Sequence, residues 1–276
     1  MKAAQPYFIY PGYAFVAYPN RDSTGYKERY NIPEAQTVVR GTLRYQGFPE
    51  FVKALVDIGF LSEEPKDFLA PGSKLAWKDA FAKVLGSSST KEEYLLPGYK
   101  VNFRDLIWAI SSKTQFPSTD EKNRIISGMK WLGLFSDAPI TPRGNPLDTI
   151  CATLEEKMQY EEGERDMCIL QHKFIVEHKD GKKVPSLLPV SMPHFVRDLC
   201  LWKETLTSTL LDYGEPKGYS SMAKLVGIPC GVAAQQVLDG VISTPGVLAP
   251  IHADINGPLI ETLKKEGIEC KEEVVA

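Results

Sequence analysis

An α/β domain carrying a helical insertion is the fold this sequence predicts. Strand-like stretches lie near both ends, helical periodicity fills the middle, and Pro, Gly and Asp-Gly punctuation separates the elements. Residues 1–60 and 160–276 are therefore expected to build one α/β domain, and 61–159 a mainly helical inserted region.

Each element follows from its own residues. The stretch 7–17 is aromatic and strand-like, with Pro11-Gly12 expected as a turn or bulge inside it. A second strand is predicted over 37–45 from the β-branched Thr37, Val38, Val39 and Thr42, with Gly41 marking a bulge or close approach. Pro49 opens a helix that sets Phe51, Val52, Leu55 and Ile58 on one face and ends near Gly59. Helices follow over 77–85 and 121–132, and Asn145 caps another with Pro146 in its first turn. Strand character returns over 167–178, where Asp180-Gly181 signals a hairpin returning along 204–213. Residues 220–240 read as a helix with Gly227, Pro229 and Gly231 allowing close packing and a kink. Asn256 is expected to cap the last helix, with Pro258 near its start and Gly267 at its end, before a strand over 268–275.

Composition narrows the function. A formal charge of −3 gives no basic excess, so neither nucleic acid nor an anionic membrane surface is an expected partner. Apolar runs stay well short of the roughly 20 residues that cross a bilayer, and no secretory leader pattern opens the chain. An intracellular, cytoplasmic location is expected. The 5 cysteines are scattered and form no C-x-x-C pair, so reduced thiols are expected and no metal site is assigned, His172 and His178 included.

Six strings carry a family resemblance, in one order along nearly the whole chain. They are Ala17-Tyr-Pro-Asn-Arg-Asp-Ser23, Arg40-Gly-Thr-Leu-Arg-Tyr-Gln-Gly47, Trp131-Leu-Gly-Leu-Phe-Ser136, Gln159-Tyr-Glu-Glu162 with Glu164-Arg-Asp166, Gly218-Tyr-Ser-Ser-Met222, and Gly227-Ile-Pro-Cys-Gly-Val-Ala-Ala234. Together they resemble the fungal, glutamate-forming, NADP-dependent saccharopine dehydrogenases, also called saccharopine reductases. The resemblance implies a reaction of lysine biosynthesis. Glutamate and aminoadipate semialdehyde join as an imine that NADPH reduces to saccharopine, or the reverse. It also implies a Rossmann domain, a mixed-sheet α/β catalytic domain that holds substrate and the dimer contact, and a helical insertion. No G-x-G-x-x-G occurs in this sequence, so the Rossmann domain is expected to be absent here and NADP to be bound by a missing N-terminal domain. Two other readings stand beside this one: the dehydrogenase segment of a bifunctional lysine-degrading enzyme, and a non-catalytic binding or assembly module.

Saccharopine carries three carboxylates, and a planar guanidinium binds a carboxylate through two parallel hydrogen bonds. By the resemblance, Arg21 and the Thr42, Leu43 and Arg44 segment are the substrate contacts, Thr42 through its hydroxyl or backbone and Leu43 through its main chain. Arg21 could instead pair with Asp22, and Arg44 could be an outward strand residue. Tyr18, Tyr45 and Tyr219 are expected to pack as buried aromatics, since a phenol near pKa ~10 is a weak acid catalyst. His172 reads as a half-buried strand residue, and the acidic run 155–164 as a solvated helix end and loop. No catalytic acid or base is assigned within this chain.

Residues 184–203 interrupt the expected hairpin and are predicted to be foreign to the fold. Deleting them would run Asp180-Gly-Lys-Lys183 directly into the returning strand. A Val codon begins with GT and a Lys codon can end in AG, so a translated intron and a loop inserted at a hairpin tip both fit. Sequencing the mature transcript separates them: loss of codons 184–203 marks an intron, and retention marks an inserted loop.

Overall fold

The computed structural model describes residues 3–86, 103–177 and 203–275. Their contacts divide into two compact units, Met1–Gln159 and Tyr160–Ala276. The α/β class holds, and the strand pairings among the described residues are antiparallel throughout rather than mixed.

In the first unit the strands β1 (Gln5–Tyr7), β2 (Phe15–Pro19) and β3 (Gly41–Tyr45) form a sheet in that order. The strand-like stretch 7–17, with the turn expected at Pro11-Gly12, is a hairpin. Gly12 takes a φ of +89°, a conformation open to glycine, and reverses the chain so that Tyr7 pairs with Phe15. The β2–β3 ladder runs unbroken from Phe15 opposite Tyr45 to Pro19 opposite Gly41, so Gly41 makes no bulge.

Helices fill the rest of this unit. A single turn, α1 (Tyr26–Arg29), precedes β3, and α2 (Phe48–Asp57) follows Gly47, which is left-handed at φ +92°. Then come α3 (Trp77–Leu85), α4 (Phe103–Lys113), α5 (Thr119–Trp131) and α6 (Pro146–Lys157). No element was expected at α4. The α5 helix starts earlier than its apolar spacing indicates, because Ser118 accepts the Glu121 N–H at 3.1 Å and caps it. Asn145 caps α6 as expected, accepting the Asp148 N–H at 2.7 Å.

Their apolar faces share one core. Ile58, Phe60, Phe81, Ile110, Met129 and Ile150 are fully buried in it. The Phe81 ring lies 5.1 Å from Phe60 and 5.3 Å, edge-on, from Phe135. Gly128 lets α5 approach α2 closely, since a Cβ there would meet the Phe51 ring at 2.6 Å.

The second unit holds β4 (Met167–Glu177), β5 (Lys203–Tyr213) and β6 (Lys271–Val275) in sheet order. The expected hairpin pairs from Met167 opposite Tyr213 to Glu177 opposite Lys203. Lys203, expected to close the foreign segment, is thus part of a strand, and the rest of that segment lies outside the described residues. Helix α7 (Ser221–Leu238) continues through Pro229, and α8 (Ala253–Lys265) begins at His252. Asn256 is inside α8 rather than its cap, for the helix has already begun at Ala253 and the Asn256 N–H donates to the His252 carbonyl at 2.9 Å. The Pro258 carbonyl accepts the Gln236 side-chain amide at 2.8 Å, joining α8 to α7. No helix among the described residues is long and apolar enough to cross a membrane.

Phe81 is 0% exposed and Phe8 is 74% exposed, which sets up a paired stability prediction. Phe81→Ala leaves a cavity and is expected to cost about 3–5 kcal/mol. Phe8→Ala should stay within about 0.5 kcal/mol of the parent. Denaturant unfolding of the two variants measures both.

Candidate functional site

The site expected from sequence gathers at the end of the first sheet. Beyond Pro19 the Asn20 N–H donates to the Arg40 carbonyl at 2.8 Å, and the chain then bends. Arg21 sits in this bend at φ +62°, a left-handed conformation that costs a non-glycine residue roughly 1–3 kcal/mol. Its neighbours hold it there. An Asp22 carboxylate oxygen accepts the Thr24 N–H at 2.9 Å and the Thr24 hydroxyl at 2.8 Å, and these bonds keep the Asp22 pKa below its ordinary value. The buried Ser23 hydroxyl accepts the Arg40 N–H at 3.0 Å. Among the described residues the exposed Arg21 guanidinium makes no hydrogen bond or ion pair, so the pairing with Asp22 is not formed.

On β3, Thr42 lies opposite Tyr18, Leu43 opposite Ala17 and Arg44 opposite Val16. Side chains alternate along a strand, so Thr42 and Arg44 share a face and Leu43 takes the other. Arg44 donates from Nη1 to the Leu43 carbonyl at 2.7 Å and rests 5.5 Å over the Phe48 ring. Sequence reasoning passed over Arg40, although a spacing of two aligns it with Thr42 and Arg44. Its Nη1 donates to the Tyr26 hydroxyl at 2.6 Å and its guanidinium lies 5.0 Å over the Tyr26 ring. None of Arg21, Arg40 and Arg44 is ion-paired among the described residues, whereas Arg124 and Arg143 are paired with Glu121 and Glu155. Such cations hold anions; they offer no acid or base chemistry at neutral pH.

The other titratable candidates stay apart from these cations or take different surroundings from those expected. Tyr45 is 56% exposed with its ring 5.1 Å from Phe15, and Tyr219 is 81% exposed, so neither is a buried aromatic. His172 is exposed on β4 beside Phe174, not half-buried.

Fold and cations together give an α/β domain with arginines that have no acid partner, among the described residues, at the end of one sheet. Residues 1–268 match the saccharopine dehydrogenase C-terminal domain, and the chain belongs to that family. It is 58% identical, over its whole length, to the saccharopine dehydrogenase [NADP(+), L-glutamate-forming] of Schizosaccharomyces pombe and 52% identical to that of Saccharomyces cerevisiae, covering 54% and 55% of those proteins. The chain thus spans about half the length of the fungal relatives it matches. Against the mitochondrial alpha-aminoadipic semialdehyde synthase of Bos taurus the identity is 31% over 97% of this chain and 25% of that protein. The apo saccharopine dehydrogenase (L-Glu forming) structure from Saccharomyces cerevisiae superposes with a TM-score of 0.82, at 51% identity over all of this chain and 55% of that one.

Two more of the resembling strings meet in the second unit, where their role is structural. The Asp166 carboxylate accepts the Ser221 N–H at 2.6 Å and the Met222 N–H at 2.9 Å, placing an anion on the N-terminus of α7. Gly214 is required beside it, because a Cβ would collide with an Asp166 carboxylate oxygen. Asp212 accepts the Ser221 hydroxyl at 2.6 Å and the Lys224 ammonium at 2.8 Å. Burial pushes the Asp212 pKa up, but the hydrogen bonds from Lys224 and Ser221 and the Lys224 charge together hold it below its ordinary 3.8. A carboxylate so depressed stabilises the folded state above its unfolded pKa, and that gain is lost as pH falls through the folded value. Asp212→Asn is therefore expected to lower Tm near neutral pH and to flatten the fall in Tm on acidification below about pH 4, as thermal melts across that range will show.

Proposed function

We propose that this chain is the substrate-holding, C-terminal part of an enzyme of lysine biosynthesis. That enzyme forms saccharopine from glutamate and aminoadipate semialdehyde with NADPH, or runs the reverse. The carrying observation is the pair Arg21 and Arg44, neither with an acid partner among the described residues, in a chain 58% identical to a relative named for that reaction. Each guanidinium forks a substrate carboxylate, the Thr42 hydroxyl adds a hydrogen bond, and Leu43 contributes its main chain. Bound NADPH supplies the hydride. No Gly-rich βα turn for its pyrophosphate occurs in this sequence, so the cofactor is assigned to an N-terminal domain and no catalytic acid or base to this chain. Residues 1–60 and 160–276 act as the substrate and dimerisation domain of a cytoplasmic homodimer, with 61–159 inserted. Identity of 58% against 31% favours this reading over a segment of a bifunctional lysine-degrading enzyme.

The test uses the full-length protein, N-terminal domain included. Arg21→Ala or Arg44→Ala should weaken saccharopine by roughly one to two decades, the value of a charge-assisted hydrogen bond, and leave NADP affinity and Tm unchanged. Arg→Lys should recover part of the loss, because an ammonium keeps the charge without the planar fork. Saccharopine affinity unchanged in both alanine variants removes these residues from the site.

A further inference from the structure

We propose that Arg40 is a third carboxylate-binding residue, on the same strand face as Thr42 and Arg44. The inference rests on the reading that this face holds saccharopine, and it adds a residue that neither the family resemblance nor that reading assigns.

Register carries the first step. The ladder continues past β3 in both directions, with the Gln46 N–H donating to the Ala14 carbonyl at 2.8 Å and the Asn20 N–H to the Arg40 carbonyl at 2.8 Å. Arg40 is thus the next hydrogen-bonded partner after Thr42 and Arg44, opposite Asn20 as they are opposite Tyr18 and Val16. Residues two apart in a strand face the same way, so Arg40, Thr42 and Arg44 line one face over about 13 Å of backbone. Thr42 stands between the two arginines along the strand.

Charge carries the second step. Arg40 and Arg44 each rest on an aromatic ring, Tyr26 at 5.0 Å and Phe48 at 5.5 Å, and neither has an acid partner among the described residues. An aromatic face orients a guanidinium without cancelling its charge. Tyr26 takes only one Arg40 donor, Nη1, which leaves the other edge of the fork for a ligand. Arg29 also lacks an acid partner among the described residues, but it stands on α1, off the ladder. With Arg21 in the adjoining bend, the face supplies one guanidinium for each carboxylate of a tricarboxylate substrate. The alternative is that Arg40 only clamps α1 to the strand through Tyr26.

Binding measurements on the full-length protein separate the two. Saccharopine and NADP affinities and Tm are compared for Arg40→Ala, Arg40→Lys and Tyr26→Phe, with Arg21→Ala and Arg44→Ala alongside. A ligand role predicts that Arg40→Ala weakens saccharopine about tenfold or more at unchanged NADP affinity. Arg40→Lys should recover part of that loss, and Tyr26→Phe, which keeps the cation, should cost less than Arg40→Ala. The proposal is overturned, and the substrate reading kept, if Arg21→Ala weakens saccharopine while Arg40→Ala does not. It is equally overturned if Arg40→Ala and Tyr26→Phe lower Tm alike and reduce both affinities together. No saccharopine effect in any of Arg21→Ala, Arg44→Ala and Arg40→Ala rejects the substrate reading itself.

Discussion

The β2–β3 ladder is the constraint on which the candidate site depends. It aligns Arg44 with Val16, Thr42 with Tyr18 and Arg40 with Asn20, and so decides which side chains share a face. A slip of one residue would turn every one of them to the other side of the sheet. The same ladder fastens the bend that carries Arg21, because the Arg40 backbone is held on one side by Asn20 and on the other by the buried Ser23 hydroxyl. A left-handed arginine persists where several local bonds outweigh its strain, and the Asp22–Thr24 turn completes that set.

Cations without acids are the second feature the site relies on. An arginine beside a carboxylate, such as Arg143 with Glu155, has its charge answered within the fold. Arg21, Arg40 and Arg44 are answered by nothing acidic among the described residues. They stay hydrated at the surface, where exposure is tolerable for a guanidinium, and their donors remain open to an anion. Aromatic rings under Arg40 and Arg44 limit the side-chain freedom that an incoming carboxylate would otherwise have to remove.

The second unit is organised differently, by satisfying a helix end. Asp166, next to β4, supplies the acceptors that the first N–H groups of α7 lack, and Asp212 on β5 holds Ser221 and Lys224 from below. Two strings that single out the family in sequence, around Asp166 and Ser220–Ser221, are therefore one contact in space, brought together across 55 residues. What joins them is a helix cap, the Asp166 carboxylate on the Ser221 and Met222 N–H groups.

Local chemistry alone determined much of this protein. The Asn145 cap, the bounds of α3, the β4–β5 hairpin and the α/β class with a helical middle follow from capping side chains, apolar periodicity and strand alternation, which act over a few residues. The cationic segment Thr42–Leu43–Arg44 was visible in the same way, as residue types in a string. Tertiary structure decided the rest: the early start of α8, the exposure of Tyr45 and Tyr219, and the place of Arg40 beside Thr42 and Arg44. Each depends on which distant backbone groups pair and which surfaces are left uncovered. Those are set by the competition of the whole chain for hydrogen bonds and buried area, and no window of a few residues contains it.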